Sequence, residues 1–356
     1  MSRGRGLEPV LDFHLDRYLD VRKNLRDLRE LARCMDREEI DLVHVHQSHD
    51  HAVAGFAVRR SRRRPRIVRT NHKGTALRRT LGNRVLLRRM TDGYLTFSAG
   101  GLEADRRAFR LPESTSFRIP VSVDLRRFDP ARTKGDGRAA FGFARGQVVV
   151  AVVARMQRHR RIEVILEGLA RARREAPELR GLFIGRGTHR ETVAVEPARR
   201  LGLAEAVVFP GYLGAPRGDV APGRDPYVEA LSAIDAMVLL VPGSDGTCRA
   251  VREAMAMGKV PVVSRRGLLP ELVEDGRTGL VVDETPAGVA DALVRLARNP
   301  ELRLALGLRA RQEARERFET EAQGRVVSDA YRRILDGAPD GRPEARAAAG
   351  KGAGRG

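Results

Sequence analysis

Hydrophobic positions along the first 120 residues alternate between two periods. From Leu19 to Met35 they recur at helical spacing (Leu25, Leu28, Leu31, Met35), Ile40 to His46 is a short extended run, and Val53 to Val58 sits in a second helical stretch. Arg66 to Thr70, Tyr94 to Phe97 and Ser116 to Pro120 read as further short strands, each preceded by a helical stretch. This rhythm predicts a parallel sheet covered by helices. Between Val121 and Gly146 it breaks into a stretch rich in charge, Gly and Pro, the mark of a linker. A second series follows. Residues 148–154 (VVVAVVA), after Gln147, are apolar throughout, as in a strand buried on both faces. Arg161 to Ala176 is helical, and 179–185, 207–214, 236–243, 260–264 and 278–282 continue as strands. Pro286–Arg298, Glu301–Phe318 and Glu319–Leu335 close the chain as helices.

The pattern predicts an α/β protein with two parallel-sheet domains, 1–125 and 147–318, joined by a linker at 126–146. The last helix, 319–336, is placed to pack back on the first domain, and the Gly/Ala/Pro/Arg tail from 337 to 356 has little to bury and is expected to be disordered. A chain of 356 residues is long enough for two cores. Two such domains commonly clasp a ligand at the carboxyl ends of their strands, although fold alone does not name it. No apolar run reaches the ~18 residues of a membrane-spanning helix, and the first residues are too charged for a secretory signal, so a cytoplasmic protein is expected. Cys34 and Cys248 are too few for a disulfide framework and read as free thiols.

Charge changes the picture in one place. The net charge is +20, and only five of the 66 basic residues are Lys. From Ala57 to Met90 the chain carries 13 basic residues and no acid. This block is either an ordinary solvated face or a surface for anionic lipid or a phosphorylated acceptor. Nucleic acid fits less well, because aromatic residues are 4% of the chain and no zinc-finger, basic-zipper or RNA-stacking motif is present.

Candidate chemistry gathers at the strand ends of the second half. Arg155 and Arg160 follow the strand at 148–154, Gly185 and Gly187 the one at 179–184, and Gly243 and Gly246 the one at 236–241. Glycine lets a backbone approach a phosphate, helix-start N–H groups favour negative charge, and arginines neutralise a diphosphate. Each residue singly is as well explained as a turn glycine or a surface arginine; together they suggest a site. In PGSDGTCRAVREAMAMGKVPVV, Asp245 precedes a helix and Glu253 lies about two turns in, so both can face one cleft. They accept hydrogen bonds from sugar hydroxyls, or Asp245 caps the helix and Glu253 is solvated; spacing leaves both open. Cys248 reads as a small structural residue, and His44, His46, His49 and His51 lack metal-ligand geometry, since alternation sends only the first two to one face.

Residues 148–282 resemble the retaining, GT-B fold nucleotide-sugar glycosyltransferases of family 4, or group 1. The resemblance rests on D245-GTCRAVR-E253-AMAMG-KV-PVV followed by RRGLLPELVEDGRTGLVV. It implies two Rossmann-like domains facing a cleft, with Glu253 on the donor ribose, Asp245 at the donor sugar, and Arg155 and Arg160 on the diphosphate. Gly185, Gly187, Gly246 and Thr247 would complete the donor site. IDLVHVHQSHDH and RIVRTNHKG resemble, less specifically, segments of the family's acceptor domain, and the second makes His72 the candidate at the reacting centre; its plainer reading is a histidine capping a strand.

The resemblance further implies transfer of a sugar from a nucleoside diphosphate to a glycan or lipid-linked acceptor, with retention. No metal or other cofactor is expected, and the basic block suits a cytoplasmic protein that reaches its acceptor at the inner membrane face. No second carboxylate is spaced for double displacement, which favours front-face attack assisted by the departing phosphate. Three positions depart from the family pattern: Asp245 replaces Glu, Arg160 replaces Lys, and two residues, Lys259 and Val260, separate Gly258 from Pro261 where one is usual. Family members also open with a strand and glycine loop that the stretch before Ile40 lacks, so the N-terminal domain is expected to be truncated. A non-catalytic nucleotide-sugar-binding protein, a phosphorylase and an epimerase are the rivals on the same fold.

Overall fold

The computed structural model describes residues 21–133, 137–214, 225–243 and 246–337. The expected disordered tail, 338–356, lies outside them. The first domain runs α1 (Val21–Arg37), β1 (Leu42–Val45), α2 (Ser48–Arg60), β2 (Arg66–Asn71), α3 (Leu81–Arg89), β3 (Gly93–Thr96), α4 (Ala99–Phe109) and β4 (Ser116–Arg118). Its four strands are parallel and lie in chain order, so each helix between strands is one crossover. Alternation along β2 divides its side chains between two cores: Ile67 packs with Ala54, Ala57 and Met35 of α2 and α1, and Val68 packs on the opposite face.

That opposite face is covered from far away in sequence. The last helix, α13 (Thr320–Asp336), lays Ala330 and Ile334 against Val68 and Leu95. Gly93 is needed there, because a Cβ would sit 2.2 Å from Ile334 Cδ1. Beside it the chain crosses between domains twice: Val123 N–H donates to Phe318 O at 2.8 Å, and Gln323 Nε2 donates to Pro120 O at 2.6 Å.

The second domain begins with α5 (Gly137–Ala140) and continues β5 (Val148–Val153), α6 (Ile162–Ala172), β6 (Leu179–Ile184), α7 (Glu196–Arg200), β7 (Val207–Gly211), α8 (Pro226–Ala233) and β8 (Ala236–Leu239). It then runs α9 (Arg249–Ala256), β9 (Val260–Val263), α10 (Leu269–Leu272), β10 (Leu280–Val281), α11 (Pro286–Arg298) and α12 (Pro300–Arg317). Its parallel strands take the order β10-β9-β8-β5-β6-β7. Val148, Val150 and Val152 of β5 enter one core, and Val149 and Ala151 the other, which explains the unbroken apolar run. The strand order reverses between β5 and β8. Such a switch point opens a crevice at the carboxyl ends of the strands, and the loops after β5 and β8 meet there. The described residues of 126–146 are anchored: Phe128 and Phe143 are buried, and Arg138 reaches Asp235 Oδ2 at 2.7 Å.

Candidate active site

The loop after β5 turns through Arg158–Arg160 into α6. Arg160 is only 7% exposed, and its Nε and Nη1 have no hydrogen-bond partner among the described residues. Burial holds its pKa below the ordinary guanidinium value. Gly243, from the loop after β8, makes room for it, since a Cβ there would sit 2.9 Å from Nη1. Arg155 on the same loop is exposed. Gly185 and Gly187 support this loop from β6. Gly185 has φ +145 and its absent Cβ would meet Ala154 O at 2.0 Å; that of Gly187 would meet Met156 O at 2.2 Å. The Gly185 N–H is engaged by Gly211 O at 2.7 Å, so this glycine seats Arg155 and does not direct an amide at a ligand.

After β8 the chain reaches α9. Asp245 lies outside the described residues. Thr247 is clamped by Arg252, whose Nε and Nη2 donate to Thr247 O and Oγ1, both at 3.1 Å. Cys248 starts α9 from the left-handed region (φ 52), and its buried thiol, outside any disulfide, donates to Gly246 O at 3.4 Å. Glu253 is buried too, at 6% exposure, and its Oε2 accepts from Tyr227 Oη at 2.7 Å. Burial raises its pKa, opposed by the Tyr227 bond and the charge of Arg249, whose Nε stands 3.7 Å from Oε1. Asp225 caps α8 through the Tyr227 and Val228 amides and so fixes Tyr227. Neither Tyr227 nor Asp225 lies in a motif, so reading the sequence missed them.

On the facing domain, His72 follows β2 in a loop held by side chains. Asn71 Oδ1 accepts from Lys73 N at 3.0 Å and Asn71 Nδ2 donates to Thr75 O at 2.9 Å. Asp105 of α4, fully buried, accepts from Leu77 N at 2.8 Å and from Tyr94 Oη at 2.5 Å. His72 Nε2 pairs with His46 Nδ1 at 2.9 Å, and His44 bridges Tyr331 Oη (2.5 Å) and Thr70 Oγ1 (2.6 Å). Burial, joined by His46, His72 and Arg69, pushes His44 down to about 4, and burial pushes His51 down to about 4 as well.

These histidines predict a pH dependence. Their ordinary value near 6.5 applies to the unfolded chain, which therefore binds more protons than the folded chain between pH 6.5 and 4. Their contribution to stability is complete above pH 6.5 and is lost as pH falls toward 4. Asp105 and Glu253, both raised by burial, act in the opposite direction at lower pH. The melting temperature is expected to be flat from pH 8 to 7 and to fall from pH 6.5 to 5; a flat profile across the whole range would contradict the assignment.

The two halves meet at a backbone junction. Gly246 N–H donates to His72 O at 2.9 Å. A Cβ on Gly246 would sit 2.1 Å from the Lys73 carbonyl carbon, and one on Gly74 (φ +62) would sit 2.8 Å from Gly246 O. His72, Gly246 and Thr247 thus gather at one point, with Arg160 reaching Gly243 on the same loop and Glu253 in the helix that follows.

Residues 147–299 match the family described as Glycosyl transferases group 1, and residues 4–127 match Glycosyltransferase Family 4. The chain belongs to this glycosyltransferase family. It is similar to the D-inositol 3-phosphate glycosyltransferase of Corynebacterium kroppenstedtii, 31% identical over 64% of this chain and 50% of that one. Another relative is the GDP-mannose-dependent alpha-(1-6)-phosphatidylinositol monomannoside mannosyltransferase of Mycolicibacterium smegmatis, 28% identical over 61% and 56% of the two chains. The chain therefore spans about half the length of the curated relatives it matches. Anabaena Alr3699/HepE in complex with UDP shares the fold, with a TM-score of 0.71 at 19% identity over 86% of this chain and 82% of that one. The architecture is GT-B, as the family resemblance implies. Among the described residues no helix is long and apolar enough to cross a membrane.

Proposed function

We propose that the chain transfers a sugar from a nucleoside diphosphate to an acceptor held by the first domain, with retention at the anomeric carbon. The observation that carries this reading is Arg160: a buried guanidinium with two unpartnered nitrogens at the switch point of a parallel sheet suits an anion, and a family of glycosyltransferases makes that anion a nucleoside diphosphate. Negative charge grows on the diphosphate as the glycosidic bond lengthens, and Arg160, with the exposed Arg155, stabilises it there. Glu253 keeps one oxygen for the ribose while Tyr227 holds the other. Asp245 acts at the donor sugar by its position in the motif.

The base lies toward β7. Tyr212, exposed beyond that strand, stacks under Arg186 (4.8 Å) of the loop after β6 and offers a flat face. Three strand spacings of about 4.8 Å separate β8 from β7, a span that a nucleotide laid across the strand ends can cover. His72 orients the donor sugar or the acceptor hydroxyl, whose proton passes to the departing phosphate on the same face. The relatives' names mention phosphorylated inositol and a phosphatidylinositol mannoside, which supports an anionic or lipid-borne acceptor. So does the surface of α2 and α3, where exposed Phe56 and Leu81 stand among Arg59, Arg60, Arg84 and Arg88.

The test is a panel of nucleotide sugars. The cognate donor is expected to raise the melting temperature and to be consumed slowly without acceptor, and transfer is expected to favour acceptors in anionic over neutral vesicles. A folded protein that responds to no donor would overturn the transferase reading. Equal transfer from both vesicle types would remove only the acceptor part.

A further inference from the structure

Glu271 belongs to α10 of the second domain, yet both carboxylate oxygens are engaged by the first. Oε1 accepts from Ser98 Oγ at 2.6 Å, Oε2 accepts from the Ala99 N–H at 3.0 Å, and Arg118 Nη2 stands 3.3 Å from Oε2. Ser98 is the cap of α4, its Oγ also accepting from Gly101 N at 3.0 Å. A carboxylate at this point complements the positive end of the helix and satisfies an N–H that would otherwise lack a partner.

The helix so gripped is the one that carries Asp105. Through Leu77, and through Asn71 with its bonds to Lys73 and Thr75, Asp105 shapes the loop that holds His72. On its own side Glu271 is tied to the end of α12, next to the crossing at Phe318, because Arg317 Nη2 donates to its backbone oxygen at 3.1 Å. Glu271 therefore connects the end of α12, through its backbone oxygen, to α4, through its carboxylate, and Asp105 connects α4 to the reacting loop.

We propose that Glu271 is a positioning residue, an interdomain latch that holds the two halves in the closed register where His72 meets the 246–247 turn. This rests on the transferase reading above. The bonds are charge-assisted, which makes them strong enough to bias closure, and the Glu271 side chain keeps 23% of its surface exposed, so water can replace them when the cleft opens. The junction of Gly74 with Gly246 rests on the Gly246 N–H to His72 O bond and on Leu268, whose Cβ lies 3.3 Å from where a Gly74 Cβ would sit; Leu268 is three residues before Glu271, so junction and latch belong to one segment.

The experiment compares wild type, Glu271→Ala, Glu271→Gln and Ser98→Ala. The latch predicts that E271A leaves the Kd for UDP or GDP within about twofold of wild type while kcat falls about 10–100-fold, and that S98A and E271Q fall between the two. It also predicts that E271A, free of nucleotide, has a larger radius of gyration by solution scattering and an unchanged melting profile for each domain. Equal radii, or an unaltered kcat, would overturn the latch, and so would a rise in Kd that matches the fall in kcat. If wild type binds no nucleotide, the transferase reading fails, and the scattering comparison still decides whether Glu271 holds the domains together.

Discussion

Replacing Arg160 with methionine is expected to lower kcat/KM for the cognate nucleotide sugar by about 10²–10³-fold while the melting temperature stays constant or rises. The two effects have one cause. Arg160 is taken out of water with two nitrogens unpartnered among the described residues, a situation that costs a protein several kcal/mol when no counter-charge is present. Methionine fills a similar volume without that cost. The ligand's diphosphate is the partner that these two nitrogens lack among the described residues, so the wild type gains melting temperature on adding UDP or GDP and the variant gains little. Thermal melting with and without nucleotide, beside initial rates, measures both. A variant that is destabilised, or that keeps its response to nucleotide, would show that Arg160 serves the fold instead.

The second large effect concerns the nucleoside half of the donor. Glu253→Ala is expected to weaken UDP or GDP binding about 100-fold, because two hydroxyl bonds to a charged acceptor are lost at about 1.5 kcal/mol each. Removing the carboxylate also leaves the buried Tyr227 hydroxyl unpaired, at about 1–3 kcal/mol, which lowers the melting temperature by several degrees. Tyr212→Ala should weaken the same nucleotides about tenfold without that loss of stability. Inorganic pyrophosphate, which has neither base nor ribose, should bind wild type and both variants alike. Calorimetric titration separates these outcomes; equal losses for pyrophosphate and nucleotide would move Glu253 and Tyr212 away from the nucleoside.

Much of this organisation was legible before any coordinates. The strand at 148–153 announced itself by being apolar on both alternations, and the strands of the first half by short runs between helical stretches. The two acids, the two arginines and the glycines were visible because motif chemistry is local: a loop, a helix start and one or two turns. Local spacing did not convey what each group does. Gly185 and Gly187 read as phosphate contacts, and the structure adds that a Cβ on either would meet the backbone of Ala154 or Met156, in the loop that carries Arg155. Glu271 stood in a recognised stretch with no role, because its partners, Ser98 and Ala99, are about 170 positions away. The basic block is not one surface either. Arg69 is buried, Arg66 pairs with Asp92 and Arg63 with Asp41, while the arginines of α3 stay exposed.

By itself the sequence determined which segments become strands and helices, that two parallel sheets form, and which side chains are candidates for donor chemistry, since period and residue type act over a few residues. Only the tertiary structure decided which residues of α13 meet the first sheet, that a tyrosine orients Glu253, that Gly74 and Gly246 bring two backbones into contact, and that Glu271 grips the opposite domain. Each of these depends on where a chain crossing or a missing Cβ lets distant atoms approach, and no periodicity along one segment encodes that.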